Sequence, residues 1–238
     1  DVLTILSGLT NAPHGYGRVL RNTKQQIVAI VEEKDATSAQ RSIQEVNSGA
    51  MHIPCTFLRQ YLPQLNKKNQ QGEYYLTDLI ALWHRHSPQP IQSIISPAFW
   101  QVQGVNTPAE RAHLERQYQY HLALDLLAQG VHIEDPNRFD CRGTLDAEPG
   151  VYIDINCIFE GHVVLKSHCR IGAHCILKDV SCAEHSEVQP FTYLRGTSLE
   201  NAATAGPFSY CRSGSVLKTA SRIGCFVETK NTVLGQHS

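Results

Sequence analysis

No apolar run in this 238-residue chain approaches the roughly 20 residues that a membrane-spanning helix needs, which points to a soluble protein. Charge of one sign is also missing. The 21 basic side chains stand against 22 acidic ones, too even a balance to mark a surface for nucleic acid or an anionic membrane. Disorder is out of keeping with 42% hydrophobic residues. No C-x-x-C pair occurs among Cys55, Cys141, Cys157, Cys169, Cys175, Cys182, Cys211 and Cys225, which argues against a zinc ribbon or a thioredoxin-type site. A secreted disulfide framework does not suit a chain of this length, so free and mostly buried thiols in a reducing cytoplasm are expected. There is no initiator Met and no basic leader. Asp1-Val2-Leu3-Thr4-Ile5-Leu6 reads as a strand in progress, and the C-terminus stops inside a repeat, so both ends are expected to be cut.

What is present falls into distinct kinds of sequence, within a length that allows one large or two ordinary domains. Val2–Leu6, Ile27–Glu32, Ala50–Ile53 and Ile91–Ile95 are strand-like. Thr56–Leu65 and Leu76–His86 carry helical spacing, as in Leu76, Leu79, Ile80 and Trp83. Such alternation over residues 1–106 predicts a three-layer α/β domain or the later part of one. Thr107-Pro108-Ala109-Glu110 then forms a capping-box start. Leu114, Tyr118, Leu122, Leu126 and Leu127 mark one apolar stripe, and Gly130 ends a helix that reads as a connecting arm.

From about Val151 the period becomes six. Ile153, Phe159, Leu165, Ile171 and Leu177 form one series, and Val151, Cys157, Val163, Cys169 and Cys175 a second. After a slip the register resumes at Tyr193, Leu199, Ala205, Cys211, Leu217 and Ile223. A period of six held for some seventy residues predicts a parallel β-helix of hexapeptides, three to a triangular coil. His162, His168 and His174 are also six apart. Residues one face apart cannot close to the ~2 Å of a shared ion, so these side chains are expected at solvent-facing corners.

Motifs in order carry a resemblance. They are Gly15-Tyr16-Gly17-Arg18, Val31-Glu32-Glu33-Lys34-Asp35-Ala36, Glu45-Val46-Asn47-Ser48-Gly49, Gly72-Glu73-Tyr74-Tyr75-Leu76-Thr77-Asp78 and Gly104-Val105-Asn106. They continue through Asp135-Pro136, Arg138-Phe139-Asp140, Arg142-Gly143-Thr144-Leu145, Gly206-Pro207-Phe208 and Phe226-Val227-Glu228. In these stretches the chain resembles the bacterial bifunctional N-acetylglucosamine-1-phosphate uridyltransferase/glucosamine-1-phosphate N-acetyltransferases. The resemblance implies the distal part of a Rossmann-like α/β nucleotidyltransferase domain over 1–106 and a linker helix over 107–130. It implies the start of a left-handed parallel β-helix of hexapeptide repeats over 131–238.

The activities it implies are acetyl transfer from acetyl-CoA to glucosamine 1-phosphate, then uridylyl transfer from UTP to N-acetylglucosamine 1-phosphate with Mg²⁺. The product, UDP-N-acetylglucosamine, is a precursor of peptidoglycan and lipopolysaccharide. A cytoplasmic homotrimer handling sugar phosphates and nucleotides, with no nucleic acid and no membrane span, completes the expectation. Gly17, Glu32, Asn47 and Asn106 match the family's uridine-sugar contacts, and Asn106 also its metal ligand. Arg212 and Lys230, one coil of eighteen residues apart, match its acetyltransferase substrate contacts. The family's phosphate loop and metal Asp would lie upstream, and its acetyl-transfer base downstream; His237 does not align with that base. The 238 residues alone are therefore expected to be inactive.

Plainer readings stand beside these. Gly17, Glu32 and Asn47 could be turn or surface residues, Asn106 a turn before Thr107, and Arg212 and Lys230 unrelated surface cations. The chain departs from the family pattern at Ser213-Gly214, at Ala205 in the core column, at Cys175, Cys211 and Cys225, and by one inserted residue near Asn22–Gln26. Two other functions compete: a nucleotidyltransferase-like scaffold or sugar-nucleotide-binding protein without chemistry, and a γ-class carbonic-anhydrase-like zinc trimer using His from neighbouring chains.

Overall fold

A computed structural model describes residues 2–238; Asp1, read as part of the first strand, lies outside the described residues. The chain forms two compact units, Asp1–Thr107 and Pro108–Ser238.

The first unit alternates strands and helices: β1 (Thr4–Leu9), β2 (Arg18–Arg21), β3 (Ile27–Val31), α1 (Ser38–Arg41), β4 (Glu45–His52), α2 (Cys55–Tyr61), α3 (Asp78–His86) and β5 (Gln92–Ile95). The strands form one sheet in the order β3-β2-β4-β1-β5. Only β1 and β5 run parallel. The other pairings are antiparallel, because β2 turns straight back into β3 through a tight hairpin closed by Asn22 N donating to Gln26 O at 2.9 Å. One hydrophobic cluster joins Leu3, Ile5, Val19, Ile27 and Ile30 to Phe57 of α2 and Leu79, Ile80 and Trp83 of α3.

Three local expectations are corrected here. Leu76, expected on the helix stripe, precedes α3 and is 45% exposed. The helix expected over Thr56–Leu65 ends at Tyr61 and passes into a 3₁₀ turn at Leu62–Gln64, where Pro63 has no N–H to continue the ladder. The strand expected at Ala50–Ile53 begins earlier, at Glu45. Asn47-Ser48-Gly49 looks like a turn but forms a bulge. Partners jump from Ile5↔Met51 to Ser7↔Asn47. Ser48 Oγ donates to Leu6 O at 2.7 Å and Asn47 Oδ1 accepts from Gly49 N at 3.1 Å, replacing lost ladder bonds.

The second unit opens with α4 (Pro108–Ala128), beginning where the capping pattern predicts. Its buried face keeps most of the predicted stripe, since Leu126 is buried and Leu122 and Leu127 pack half-buried against the core of the coils, but Tyr118 departs from it. Gln119, Ala123 and Leu126 are buried, whereas Tyr118 is 47% exposed. Ala123 and Leu126 join the core of the coils that follow, so the face is set by packing on those coils.

Beyond α4 the chain winds as a parallel β-solenoid of six rungs. Three inward columns stack along it: Cys141, Phe159, Leu177, Leu194, Cys211 and Thr229; Ala147, Leu165, Cys182, Leu199, Leu217 and Leu234; Ile133, Ile153, Ile171, Val188, Ala205 and Ile223. The second hexapeptide series, Val151, Cys157, Val163, Cys169 and Cys175, is also fully buried. Tyr193 is a correction. Leu194 takes the inward place and Tyr193 lies outside, stacked on Tyr210 with ring centroids 4.8 Å apart.

The cause lies in a single corner of variable length. Between inward positions it holds Arg142-Gly143-Thr144, Glu160-Gly161-His162, Lys178-Asp179, Arg195-Gly196, Arg212-Ser213-Gly214 and Lys230-Asn231 on successive rungs. The other two corners keep the step of six from Tyr152–Ile153 onward. At the first rungs Gly143 allows a contact no side chain could share, since a Cβ there would stand 2.0 Å from Gly161 O.

Corner residues adopt left-handed backbone, with φ of 62° at His168, 61° at His174, 60° at Phe191, 53° at Phe208 and 58° at Phe226. Hydrogen bonds between coils hold these bends, as in His174 N to Ile155 O at 3.0 Å and Phe191 N to Ala173 O at 3.0 Å. His168 faces His185 at 5.1 Å and His174 faces Phe191 at 4.8 Å, so neither faces the histidine six residues away.

Candidate functional site

In the first unit, the hairpin and the bulge bring three expected residues together. Gly17 ends the loop leading into β2. A Cβ there would stand 3.0 Å from Ile30 Cγ2 and 3.2 Å from Glu32 Oε2, so the backbone passes against both. Asn47 N donates to Gly17 O at 2.8 Å across the sheet. Asn47 is half-buried at the start of the bulge, where its side-chain oxygen holds Gly49 N. Glu32 directly follows β3, and its Oε1 accepts from Thr77 Oγ at 2.9 Å.

Thr77 is the contact that residue-by-residue reading missed. It lies in the Gly72–Asp78 stretch, which carried resemblance but no assigned role, and it is buried. Its hydroxyl fixes one Glu32 oxygen, which leaves the other as a hydrogen-bond acceptor for a ligand hydroxyl.

Neighbouring groups fix the loop. Glu33 Oε2 accepts from Arg18 Nη2 at 2.6 Å and from Gly15 N at 3.2 Å, and Arg18 is buried. The Arg18 hydrogen bond holds the Glu33 carboxyl below the usual carboxylate range. Burial raises Asp78 above its ordinary value, with the charge of Asp35 adding to the effect. Burial also raises the Tyr75 phenol.

Asn106 is exposed and follows the 3₁₀ turn Phe99–Val102. Gly104, two residues earlier, comes within 4.0 Å of the Tyr16 ring when a Cβ is placed on it, and Tyr16 packs edge-on against Phe99 at 5.5 Å. The segment carrying Asn106 therefore passes beside the loop that positions Gly17.

In the second unit, Arg212 and Lys230 stand on successive rungs. Arg212 N donates to Thr229 O at 2.8 Å, which sets Lys230 opposite Arg212. Arg212 Nη1 also donates to Glu228 Oε1 at 3.0 Å. Glu228 lies in the Phe226-Val227-Glu228 stretch, and its contact with Arg212 had no assigned role in the sequence reading. All three side chains reach the outside of one solenoid face, where a cation pair can hold a phosphate.

No family model matches the chain. It is 40% identical over 237 residues to the Bifunctional protein GlmU of Marinobacter nauticus, covering 99% of this chain and 52% of that protein. It is 43% identical over 228 residues to the Bifunctional protein GlmU of Nitrosospira multiformis, covering 95% and 49%. The chain thus spans about half the length of the curated relatives it matches. Among solved structures, a point mutant of AntD, an N-acyltransferase from Bacillus cereus in complex with dTDP-4-amino-4,6-dideoxyglucose and coenzyme A, is similar at a TM-score of 0.40. Its identity is 14%, over 49% of this chain and 81% of that one.

Proposed function

We propose that this chain, a relative of the bifunctional GlmU proteins over nearly its whole length, is part of an enzyme that makes UDP-N-acetylglucosamine. In this reading residues 1–106 belong to a uridyltransferase domain, 107–130 to a linker helix and 131–238 to a left-handed β-helix acetyltransferase domain. The observation that carries it is the convergence of Gly17, Glu32 and Asn47 from separate strands, in the order of the family's motifs.

In uridylyl transfer, the sugar 1-phosphate oxygen bonds to the α-phosphorus of UTP as the α–β bond breaks and pyrophosphate leaves. Such chemistry depends on alignment and charge neutralisation. Gly17 lets the sugar nucleotide approach the backbone, Glu32 accepts from a sugar hydroxyl, and Asn47 offers a donor and an acceptor. The Asn106 amide oxygen is a hard donor that would suit Mg²⁺, together with the upstream Asp that the family resemblance implies. When bound, Mg²⁺ supplies neutralisation of phosphate charge.

In acetyl transfer, Arg212 and Lys230 hold the phosphate of glucosamine 1-phosphate while its amine nitrogen bonds to the acetyl carbonyl carbon of acetyl-CoA; the thioester C–S bond breaks, the nitrogen gives up a proton and coenzyme A leaves as the thiol. Packing of three solenoids into a cytoplasmic homotrimer belongs to the same reading. No phosphate loop and no metal-binding Asp are assigned within these 238 residues, so they alone are expected to release no pyrophosphate from UTP. Calorimetric titration of UDP-N-acetylglucosamine into the full-length protein tests the proposal. Saturable binding that weakens at least about tenfold in Asn47→Ala supports it. Absence of binding favours a scaffold that kept the fold without the chemistry.

A further inference from the structure

One outward column of the solenoid changes character along its length. The residue opening the variable corner is Arg142, Glu160, Lys178, Arg195, Arg212 and then Lys230. Signs alternate over the first three rungs. Glu160 lies 3.7 Å from Arg142 Nη1 and 3.4 Å from Lys178 Nζ. The next three rungs carry only cations, in register and about 4.8 Å apart along the stack. Like charges directly opposite one another weaken a sheet. Among the described residues, Arg195 and Lys230 form no ion pair, and Arg212 reaches only Glu228 in the adjoining column.

We propose that Arg195 is a third phosphate-contacting residue, acting with Arg212 and Lys230 on the phosphate of a sugar phosphate. The inference rests on the reading of Arg212 and Lys230 given above and adds to it a residue on the preceding rung. Charge suits that ligand class. Three cations with the Glu228 carboxylate leave a net +2, matched by a phosphate monoester, whose charge near neutral pH is about −1.5 to −2. Arg212 and Lys230 with Glu228 leave only +1. Arg212 stands at the middle rung, so the long side chains of Arg195 and Lys230 can converge on an anion held there, and both arginines present several N–H donors to its oxygens. Lys178 stays outside the group because its Nζ is drawn to Glu160, 3.4 Å away on the preceding rung.

Inorganic phosphate, titrated at pH 7.5 and followed by NMR, is the probe. Arg195→Gln is expected to weaken binding about 5- to 10-fold, and Arg195→Lys to restore it to within about twofold of the parent. Binding by the parent is expected to strengthen from pH 6 to pH 8 as phosphate becomes a dianion, and Arg195→Gln to flatten that rise. Unchanged affinity in Arg195→Gln, with weak binding in Arg212→Gln, overturns the proposal and leaves the two-cation reading standing. No saturable phosphate binding by the parent overturns both. Circular dichroism on each variant separates lost affinity from lost fold, and if Arg195→Gln fails to fold, Arg195→Met with unaltered affinity would overturn the proposal in its place.

Discussion

The Gln119 side chain of α4 pairs with both backbone groups of Cys141. Gln119 Nε2 donates to Cys141 O at 2.9 Å, and Cys141 N donates to Gln119 Oε1 at 2.8 Å. A helix side chain thereby continues the sheet's own bonding pattern at the opening coil, in a place where Gln119 is 1% exposed. A second Nε2 contact, to Glu115 Oε1 at 2.8 Å, fixes the amide orientation.

Gln119→Leu should therefore leave a buried N–H and a buried C=O without partners. A loss on the order of 2–4 kcal/mol is expected from urea midpoints. Gln119→Glu keeps the shape but loses the donor, and should also destabilise. A variant as stable as the parent would show that water replaces the amide.

Acid should loosen the coils through a clamp that occurs twice. Glu148 accepts from Lys166 Nζ at 2.7 Å and from Ser167 N and Oγ at 3.0 and 2.9 Å; Glu200 does the same with Lys218 at 2.6 Å and Thr219 at 3.1 and 3.2 Å. The Lys166 hydrogen bond leads in drawing the Glu148 carboxyl down to about 2. A depressed folded value stabilises above the ordinary carboxylate pKa of 4.5 and fades as pH falls toward 2. Denaturation midpoints of the parent should drop across that window more than those of Glu148→Gln.

Thiol reactivity should divide the cysteines. Cys55 and Cys225 are exposed, and the other six are buried. Burial pushes the Cys157 thiol up to about 12 and Cys175 to about 11, and raises Cys182 as well. An aromatic disulfide reagent at pH 8 is expected to modify two cysteines quickly and six only after unfolding. Fast reaction at a third site would mean that the coils open locally.

Thr77→Val removes the hydroxyl that fixes Glu32 while keeping the side-chain shape. UDP-N-acetylglucosamine binding should weaken about 3- to 10-fold, with recovery in Thr77→Ser. Equal affinity in all three proteins would relegate the Thr77–Glu32 bond to architecture.

The solenoid was legible because its inward residues repeat at six, and hydrophobic period is the most direct trace of a buried column. Tyr193 escaped because the step from Leu194 to Leu199 crosses the short form of the variable corner, and counting by six from Leu199 lands one residue outside. On α4 the apolar stripe is legible at Leu122, Leu126 and Leu127, whereas Gln119 takes the buried place next to the exposed Tyr118 because the backbone at Cys141 requires a polar partner. Asn47-Ser48-Gly49 has turn composition, and only cross-strand pairing shows the bulge. The stacked corner rings of Phe191, Phe208 and Phe226 recur once per coil, a distance at which neighbours share no local pattern.

Uneven corner length has a consequence for how such a chain tolerates insertions and deletions. A residue gained between Leu177 and Val180, or lost between Cys211 and Ser215, reproduces a corner length found on other rungs, so it should be absorbed locally with every later inward side chain keeping its phase. The same change at either of the other corners would turn all downstream leucines and isoleucines toward solvent. Length variation that survives selection should therefore gather along a single edge, beside the cations, where it can reshape what that edge grips without disturbing the interior.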